Sequence, residues 1–471
     1  MTVLQIAILA VLAAGIGQLR RGRQPVMLGV SALAVFWLQP AQPPGSLQFW
    51  LPFATLGLTV IAWAVTSGPE VRSLQQNWAA FAVLGGAALL ADLNRYAGAR
   101  AVFTTLTPRL SLLIGALAGL AAVALGLLRW ERARRFWLWA FLAAILGLFI
   151  LLKAPALAQG ALARLGSLRG GAAPPGEAAF SWLGFSYVAF RLMHTIRDRQ
   201  AGRLPPVTLS EYANYVIFFP AFTAGPIDRL ERFDRDLCAP LPLNNDDWLQ
   251  AGARLFSGLF RKFVVADLLA VVSINDVLVQ RVQSGGWLWL FLYAYALRIY
   301  FDFSGYTDIA IGLGRLMGIR LPENFRAPYL KSNLTQFWNS WHMTLTQWFR
   351  SYYFNPLARA MRRSARPLPT WLAVLIAQVS TMALIGLWHG ITAGFVVWGL
   401  WHGVGLFVHN RWSDFIKGRL PAWLESPRGK ALSGALGVFL TFNYVALGWL
   451  FFTLSTPSAA WLAILKLFGL A

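Results

Sequence analysis

Apolar runs close to the thickness of a bilayer recur along this chain, and they constrain its fold more than any other feature. A helix needs about 20 mostly apolar residues to cross the hydrocarbon core. Runs of that order fall at residues 3–18, 26–39, 49–66, 78–93, 110–128 and 136–156, and again at 371–388, 392–408 and 432–454. The second is short and fits a tilted or partly inserted helix. Met1-Thr2-Val3-Leu4-Gln5 lacks the basic segment of a signal peptide, so the first run reads as a retained membrane helix. The pattern predicts an all-α polytopic membrane protein with about 10–12 transmembrane or re-entrant helices.

Composition narrows the function classes. Of 471 residues, 57% are hydrophobic and 13% charged, against about 45–50% and about 25% in soluble domains. That excludes an ordinary soluble enzyme and a disordered chain. The 22 tryptophans suit aromatic belts at the lipid boundary. A single cysteine, Cys238, excludes an internal disulfide framework and a Cys-based zinc site. The net charge of +22 raises a nucleic-acid partner, but no basic, aromatic-interleaved soluble segment is present to bind one. Arg and Lys cluster instead in short loops between apolar runs, where anionic lipid headgroups are natural neighbours. Loops 19–25 (Arg20, Arg21, Arg23) and 129–135 (Arg129, Arg132, Arg134, Arg135 beside one Glu) are assigned to the cytoplasm, with the N-terminus outside. The loop 93–109 then lies outside despite Arg95, Arg100 and Arg109.

The texture divides the chain into N-terminal membrane helices (1–156), a Gly/Ala/Pro-rich linker (157–179), a mixed region (180–410) and C-terminal membrane helices (411–471). From 180 to 360, apolar runs carry embedded Asp, Arg, His, Asn and Pro. Broken backbone at membrane depth is tolerated only when buried in protein or lining a wet cavity, so this half is expected to hold re-entrant or tilted helices around a cavity.

Candidate chemistry centres on histidine. His389 ends an apolar run in Gly386-Leu387-Trp388-His389-Gly390, and an ionisable residue inside a membrane segment is a functional hypothesis by default. Packing against a neighbouring helix carbonyl is the competing reading. On a continuous helix Trp338 and His342 share a face with Asn339, which suits a pocket wall or, alternatively, an interfacial anchor. A neutral imidazole can take a proton from an attacking hydroxyl, and a second polar group can stabilise the resulting oxyanion. This fits acyl transfer. No Gly-x-Ser-x-Gly elbow, His-Glu-x-x-His motif or P-loop is present. No metal-ligand spacing appears, and His389 and His402 are too far apart for one helical face to present both to one ion. Arg298 and Asp302 are spaced to pair on a helix, with Asp308 nearby, and a structural role is favoured for them. Gly225-Pro226 reads as a turn, with Asp228 and Arg229 after it as structural or entrance-lining groups. His194, in a basic cluster, and His409, at a helix end, read as solvated or headgroup-facing.

Four stretches together resemble the membrane-bound O-acyltransferase (MBOAT) family, in its bacterial branch of alginate O-acetyltransferase and teichoic acid D-alanyl transfer proteins. They are Phe218-Phe219-Pro220 with Ala224-Gly225-Pro226-Ile227-Asp228-Arg229; Tyr300-Phe301-Asp302-Phe303-Ser304-Gly305-Tyr306; Asn324-Phe325 onward through Phe337-Trp338-Asn339-Ser340-Trp341-His342; and Gly386-Leu387-Trp388-His389-Gly390. Their order and spacing match over roughly 180–410. The alginate-type Pro-Leu-Gly-Gly-Asn-Arg is not completed: Asn355-Pro356-Leu357 runs on into Ala358-Arg359. The resemblance implies tilted helices around a central tunnel, with 180–410 as the catalytic core. It implies His389 as catalytic histidine and His342 as the second, with Trp338, Asn339, Trp341 and Trp388 lining the pocket.

It further implies no tightly bound cofactor and no metal. The expected donor is a cytoplasmic acyl thioester, acetyl-coenzyme A or an acyl carrier protein, and the acceptor an extracytoplasmic glycan. A periplasmic or extracellular partner transferase would complete the set, in the bacterial inner membrane. The alternatives are D-alanyl transfer from a carrier protein to teichoic acid and, in another class, a non-catalytic glycan flippase or channel.

Overall fold

The computed structural model describes the chain except residues 20, 41–46, 94–95, 97–106, 130–133, 155–156, 161–163, 165–181, 240–242, 417–418, 420, 422–425 and 471. Every regular element among the described residues is helical. Six helices are long and apolar enough to cross a membrane, and Val3–Gln18 and Pro457–Leu467 are shorter apolar helices. One of the six, Asn245–Arg281, is absent from the spans expected above, because Arg261, Lys262 and Asp267 interrupt its apolar pattern. Most of the 157–179 linker lies outside the described residues. The chain forms two compact units, Met1–Leu255 with Ile309–Pro322, and Phe256–Asp308 with Glu323–Ala471.

The first unit opens with α1 (Val3–Gln18), α2 (Arg23–Trp37), α3 (Leu47–Thr66), α4 (Leu74–Leu93), α5 (Leu110–Arg129) and α6 (Arg134–Lys153). Their bounds lie within a few residues of the apolar runs. Along α3, the hydroxyls of Thr55, Thr59 and Thr66 donate back to carbonyls one turn earlier. That keeps three polar side chains satisfied in an apolar setting. Next come α7 (Phe185–Gln200), α8 (Leu209–Ile217), α9 (Leu230–Cys238) and α10 (Asn245–Phe260), whose residues from Phe256 on are counted with the second unit. A Thr208/Glu211 capping box starts α8. Pro220 and Pro226 keep the backbone after α8 from continuing as helix. The freed carbonyls need donors, and Arg191 of α7 supplies them. Its guanidinium, 2% exposed, donates to the carbonyls of Tyr215 (3.0 Å), Val216 (2.8 Å) and Ala221 (3.0 Å).

In the second unit, a π-helical segment Arg261–Val265 leads into α11 (Ala266–Val271), α12 (Asp276–Arg281) and the long α13 (Gly285–Leu316), whose residues from Ile309 on are counted with the first unit. After Glu323 come α14 (Leu334–Trp338), α15 (Met343–Phe349), a second π segment Arg350–Phe354, α16 (Asn355–Arg363), α17 (Thr370–His389), α18 (Ala393–Ile416), α19 (Pro427–Thr453) and α20 (Pro457–Leu467). α17 and α18 form a tight antiparallel pair through small residues. A Cβ on Gly386 would collide with the Phe395 carbonyl oxygen, and one on Gly399 with that of Met382. A Cβ on Gly403 would stand 2.9 Å from the Val379 Cα. Small residues that let helix backbones touch are the usual device for association in lipid.

Candidate active site

The structure gathers His342, His389 and His402 into one aromatic cluster in the second unit. α17 ends at His389 and α18 begins at Ala393, so the turn at 390–392 folds the two helices back on each other. The His389 ring lies 4.5 Å from Trp388, 5.5 Å from Trp398 and 4.8 Å from Phe452, centroid to centroid. His342 reaches the same place through Trp388 (6.0 Å) and packs on Phe303 (4.7 Å). His402 lies 5.1 Å from both Trp338 and Trp398. Trp341 stacks on Phe337 at 5.6 Å and abuts Trp449 at 5.2 Å, which makes it a wall of the same cluster.

The single helix expected through Trp338 and His342 is not formed. α14 stops at Trp338, Asn339 caps it, and His342 takes a left-handed backbone conformation (φ 43°) before α15. The cause is competition for amide N–H groups. Met343 donates to the Asn324 carbonyl at 2.9 Å, and the Thr344 hydroxyl donates to Asn324 Oδ1 at 2.6 Å. Asn324 is fully buried. A continuous helix would have sent the Met343 N–H to Asn339. His342 thus reaches the cluster from a strained turn, since a non-glycine residue at positive φ is uncommon.

Trp338 and Asn339 line a cavity of about 220 Å³ with Thr335, Arg350, Gln378 and Thr381. Asn339 Oδ1 accepts from Arg350 at 2.5 Å. The π segment that carries Arg350 and Phe354 is a rare geometry, often found at functional sites. Buried groups here without a hydrogen-bond partner among the described residues include both ring nitrogens of His402, the indole N–H groups of Trp338 and Trp398, and Gln378 Oε1. Such groups are costly unless something else engages them. His402 is the member of this cluster that sequence reasoning did not place in it. The Trp401-His402-Gly403 echo of Trp388-His389-Gly390 was its signal.

Other expected residues have structural partners. Arg298 and Asp302 do not pair: Lys262 of the first π segment takes Asp302 at 2.5 Å, and Arg261 takes Asp308 at 2.6 Å. The i,i+4 rule considers one helix alone, and a second helix supplied the cations. Asp228 is buried and held by Arg232 at 2.6 Å and by the Arg229 backbone N–H at 2.7 Å. His194 is not solvated. It is 2% exposed, with Nε2 2.9 Å from Asp198 Oδ2 and Nδ1 3.1 Å from the Tyr215 hydroxyl. Its arginine neighbours made the segment look wet, yet Arg191 is itself buried. His409 is half-buried, 3.5 Å from the Thr335 hydroxyl.

The model of the MBOAT, membrane-bound O-acyltransferase family, matches residues 180–455. The chain belongs to this family. It is 34% identical over 289 residues to a teichoic acid D-alanyltransferase of Streptococcus thermophilus, covering 59% of this chain and 69% of the relative. It is 36% identical over 223 residues to a probable alginate O-acetylase of Pseudomonas fluorescens, covering 46% of this chain and 42% of the relative. A peptidoglycan O-acetyltransferase of Helicobacter pylori is 32% identical over 269 residues, covering 54% and 46%. The match therefore spans less than half of the two acetylating relatives. This MBOAT chain is a multi-pass membrane protein and an acyltransferase by family.

Proposed function

We propose that this protein moves an acyl group, acetyl in the first instance, from a cytoplasmic thioester to a hydroxyl of an extracytoplasmic polysaccharide or its carrier, in the bacterial inner membrane. The observation that carries the reading is that the His342 and His389 rings both pack on Trp388, at 6.0 Å and 4.5 Å between centroids. His389 is the general base. It takes the proton of the acceptor hydroxyl as that oxygen attacks the thioester carbonyl carbon. His342 orients the intermediate and steadies its oxyanion. The carbon–sulfur bond then breaks, and the departing thiolate takes the proton from the His389 imidazolium. An ester and a free thiol result. Trp338, Asn339, Trp341 and Trp388 wall the pocket, and His402 joins them as a further polar group. The donor is acetyl-coenzyme A or an acylated carrier protein, and a periplasmic or extracellular partner transferase belongs to the same scheme. Residues 180–410 form the catalytic core in this reading.

D-alanyl transfer to teichoic acid is the second reading. The larger share of the D-alanyltransferase relative that is covered, 69% against 42% of the alginate acetylase, favours it. The test gives membranes containing wild type or His389→Ala a radiolabelled acetyl thioester, with a labelled D-alanyl carrier protein in parallel. Label entering glycan only with wild type and acetyl thioester is the expected result. Label from the D-alanyl carrier alone would replace the first reading with the second. Transfer that persists in a properly inserted His389→Ala protein would overturn the role of His389.

A further inference from the structure

Outside the histidine cluster, the first unit carries a strongly basic cleft that the acyl-transfer reading does not use. The start of α6 supplies Arg134, Arg135, Leu138 and Trp139, and the end of α7 supplies Arg197, Arg199 and Gln200. The cleft has a volume of about 670 Å³, and among the described residues no acidic side chain lines it. The nearest carboxylate on α7, Asp198, is engaged by His194 at 2.9 Å and by Arg203 at 2.8 Å. Arg197 donates to Gln200 Oε1 at 2.6 Å and lies 5.7 Å from the Trp139 ring centroid. That leaves the buried Gln200 Nε2 as a donor with no partner among the described residues. Arg135 and Arg199 likewise have no ion pair or hydrogen bond among the described residues. The side chains of the cleft thus offer donors and positive charge, and the one amide acceptor is occupied. Such a set selects an anion with several acceptor oxygens, and guanidinium groups match phosphate geometry.

The setting narrows the source of the phosphate. α6 is apolar and only 17% buried along its spanning stretch, so it faces outward over most of its length. Phe136 (64% exposed) and Trp139 (58% exposed) stand beside the arginines at its first turns. Exposed aromatic rings next to basic side chains at the end of a lipid-facing helix mark the headgroup level of a bilayer. We propose that this cleft holds the phosphate headgroup of an anionic membrane lipid.

The test uses the full chain, purified in neutral detergent and examined by native mass spectrometry with phosphatidylglycerol or phosphatidylcholine. Wild type should retain phosphatidylglycerol in preference to phosphatidylcholine. The double variant Arg135→Gln/Arg199→Gln should lose that preference about tenfold. Its melting temperature should not move, because neither side chain has a partner to lose among the described residues. Arg135→Lys/Arg199→Lys, which keeps the charge, should keep most of the preference. Equal retention of phosphatidylglycerol by wild type and the Gln double variant would overturn the site. Arginine-dependent binding of coenzyme A with no lipid preference would overturn the lipid as source, and assign the phosphate to a soluble thioester.

Discussion

His194 in the first unit and His402 in the second are both closed to solvent, 2% and 0% exposed, yet their chemical situations are opposite. His194 has a carboxylate on one ring nitrogen and a phenol on the other. Tyr215 passes the network on by donating to the Asp228 carbonyl at 2.8 Å, and Arg203 closes it at Asp198. Each group in the chain has its partner, and the network ties α7 and α8 to the backbone at Asp228. His402 sits among Trp338, Trp398, Tyr444 and Trp449 rings, and neither nitrogen finds a partner among the described residues. A saturated buried histidine holds a fold. One left in an aromatic cage, beside two others, is in the acyl-transfer reading a group for a substrate to engage. The contrast separates scaffold from site without reference to any relative.

The largest effect that can break this contrast is on turnover. His389→Ala should lower acyl transfer by about 10²–10⁴-fold, the usual worth of a general base, with membrane insertion unchanged. Label-transfer rates per inserted molecule check it. His342 permits a finer version. Asn tolerates the left-handed conformation, so His342→Asn should keep the wild-type melting temperature while lowering turnover. His342→Val, β-branched at positive φ, should lower both. Similar melting of the two variants would mean that the turn at 342 is not strained.

Stability separates the two histidine classes next. His194→Phe leaves Asp198 and the Tyr215 hydroxyl each short of a partner, which should cost about 1–3 kcal/mol and appear as a lower melting temperature in detergent. Cys238 probes the same unit. Its Sγ lies 3.3 Å from Asp234 Oδ1 and 3.5 Å from Glu211 Oε1. Burial, reinforced by these carboxylates, pushes the thiol up to about 12 from its ordinary 9.0. Below pH 9 the thiolate is therefore scarce. Alkylation at pH 8 should run about thirtyfold slower than for a free thiol, because the higher intrinsic nucleophilicity offsets part of the deficit. The rate should keep climbing past pH 9, where a free cysteine levels off. An alkylation profile that levels off near pH 9 would show that neither burial nor the acidic groups act on the thiol.

The smallest expected change is the most discriminating. His402→Phe removes two polar nitrogens that have no partners among the described residues, so stability should stay within about 0.5 kcal/mol of wild type or rise. Turnover should fall by less than in His389→Ala. A large loss of stability would place His402 with His194, as scaffold.

How much of this was legible in the sequence follows from what lipid enforces. α1 to α6 and α17 to α19 lie close to their apolar runs, because a membrane helix must satisfy its backbone internally and show apolar side chains over a fixed length. That logic is local, and sequence carries it. The region after residue 180 obeys distant partners instead. Arg191 collects two carbonyls from the last turn of α8 and one beyond it, and Asn324 takes the N–H that would have extended α14 through His342. Neither choice is written in a helical period. His342 and His389 were found as residue types in motifs, but their meeting at Trp388 needed the fold. His402 was weighed only as a metal partner of His389 on one helical face. The glycine-lined turn at 390–392 brings it into the same cluster by another route.

The backbone contact between α17 and α18 ties these histidines to a single spar. With Gly386 and Gly399 set against carbonyl oxygens, no layer of side chains separates the helices to serve as a bearing. His389 and His402 can therefore shift only together. A change of acyl length or acceptor has to be accommodated by the replaceable walls, Phe303, Trp338 and Phe452, while the spar is left alone. Selection of random variants for a longer acyl chain should accordingly enrich substitutions in those walls and none at the three glycines.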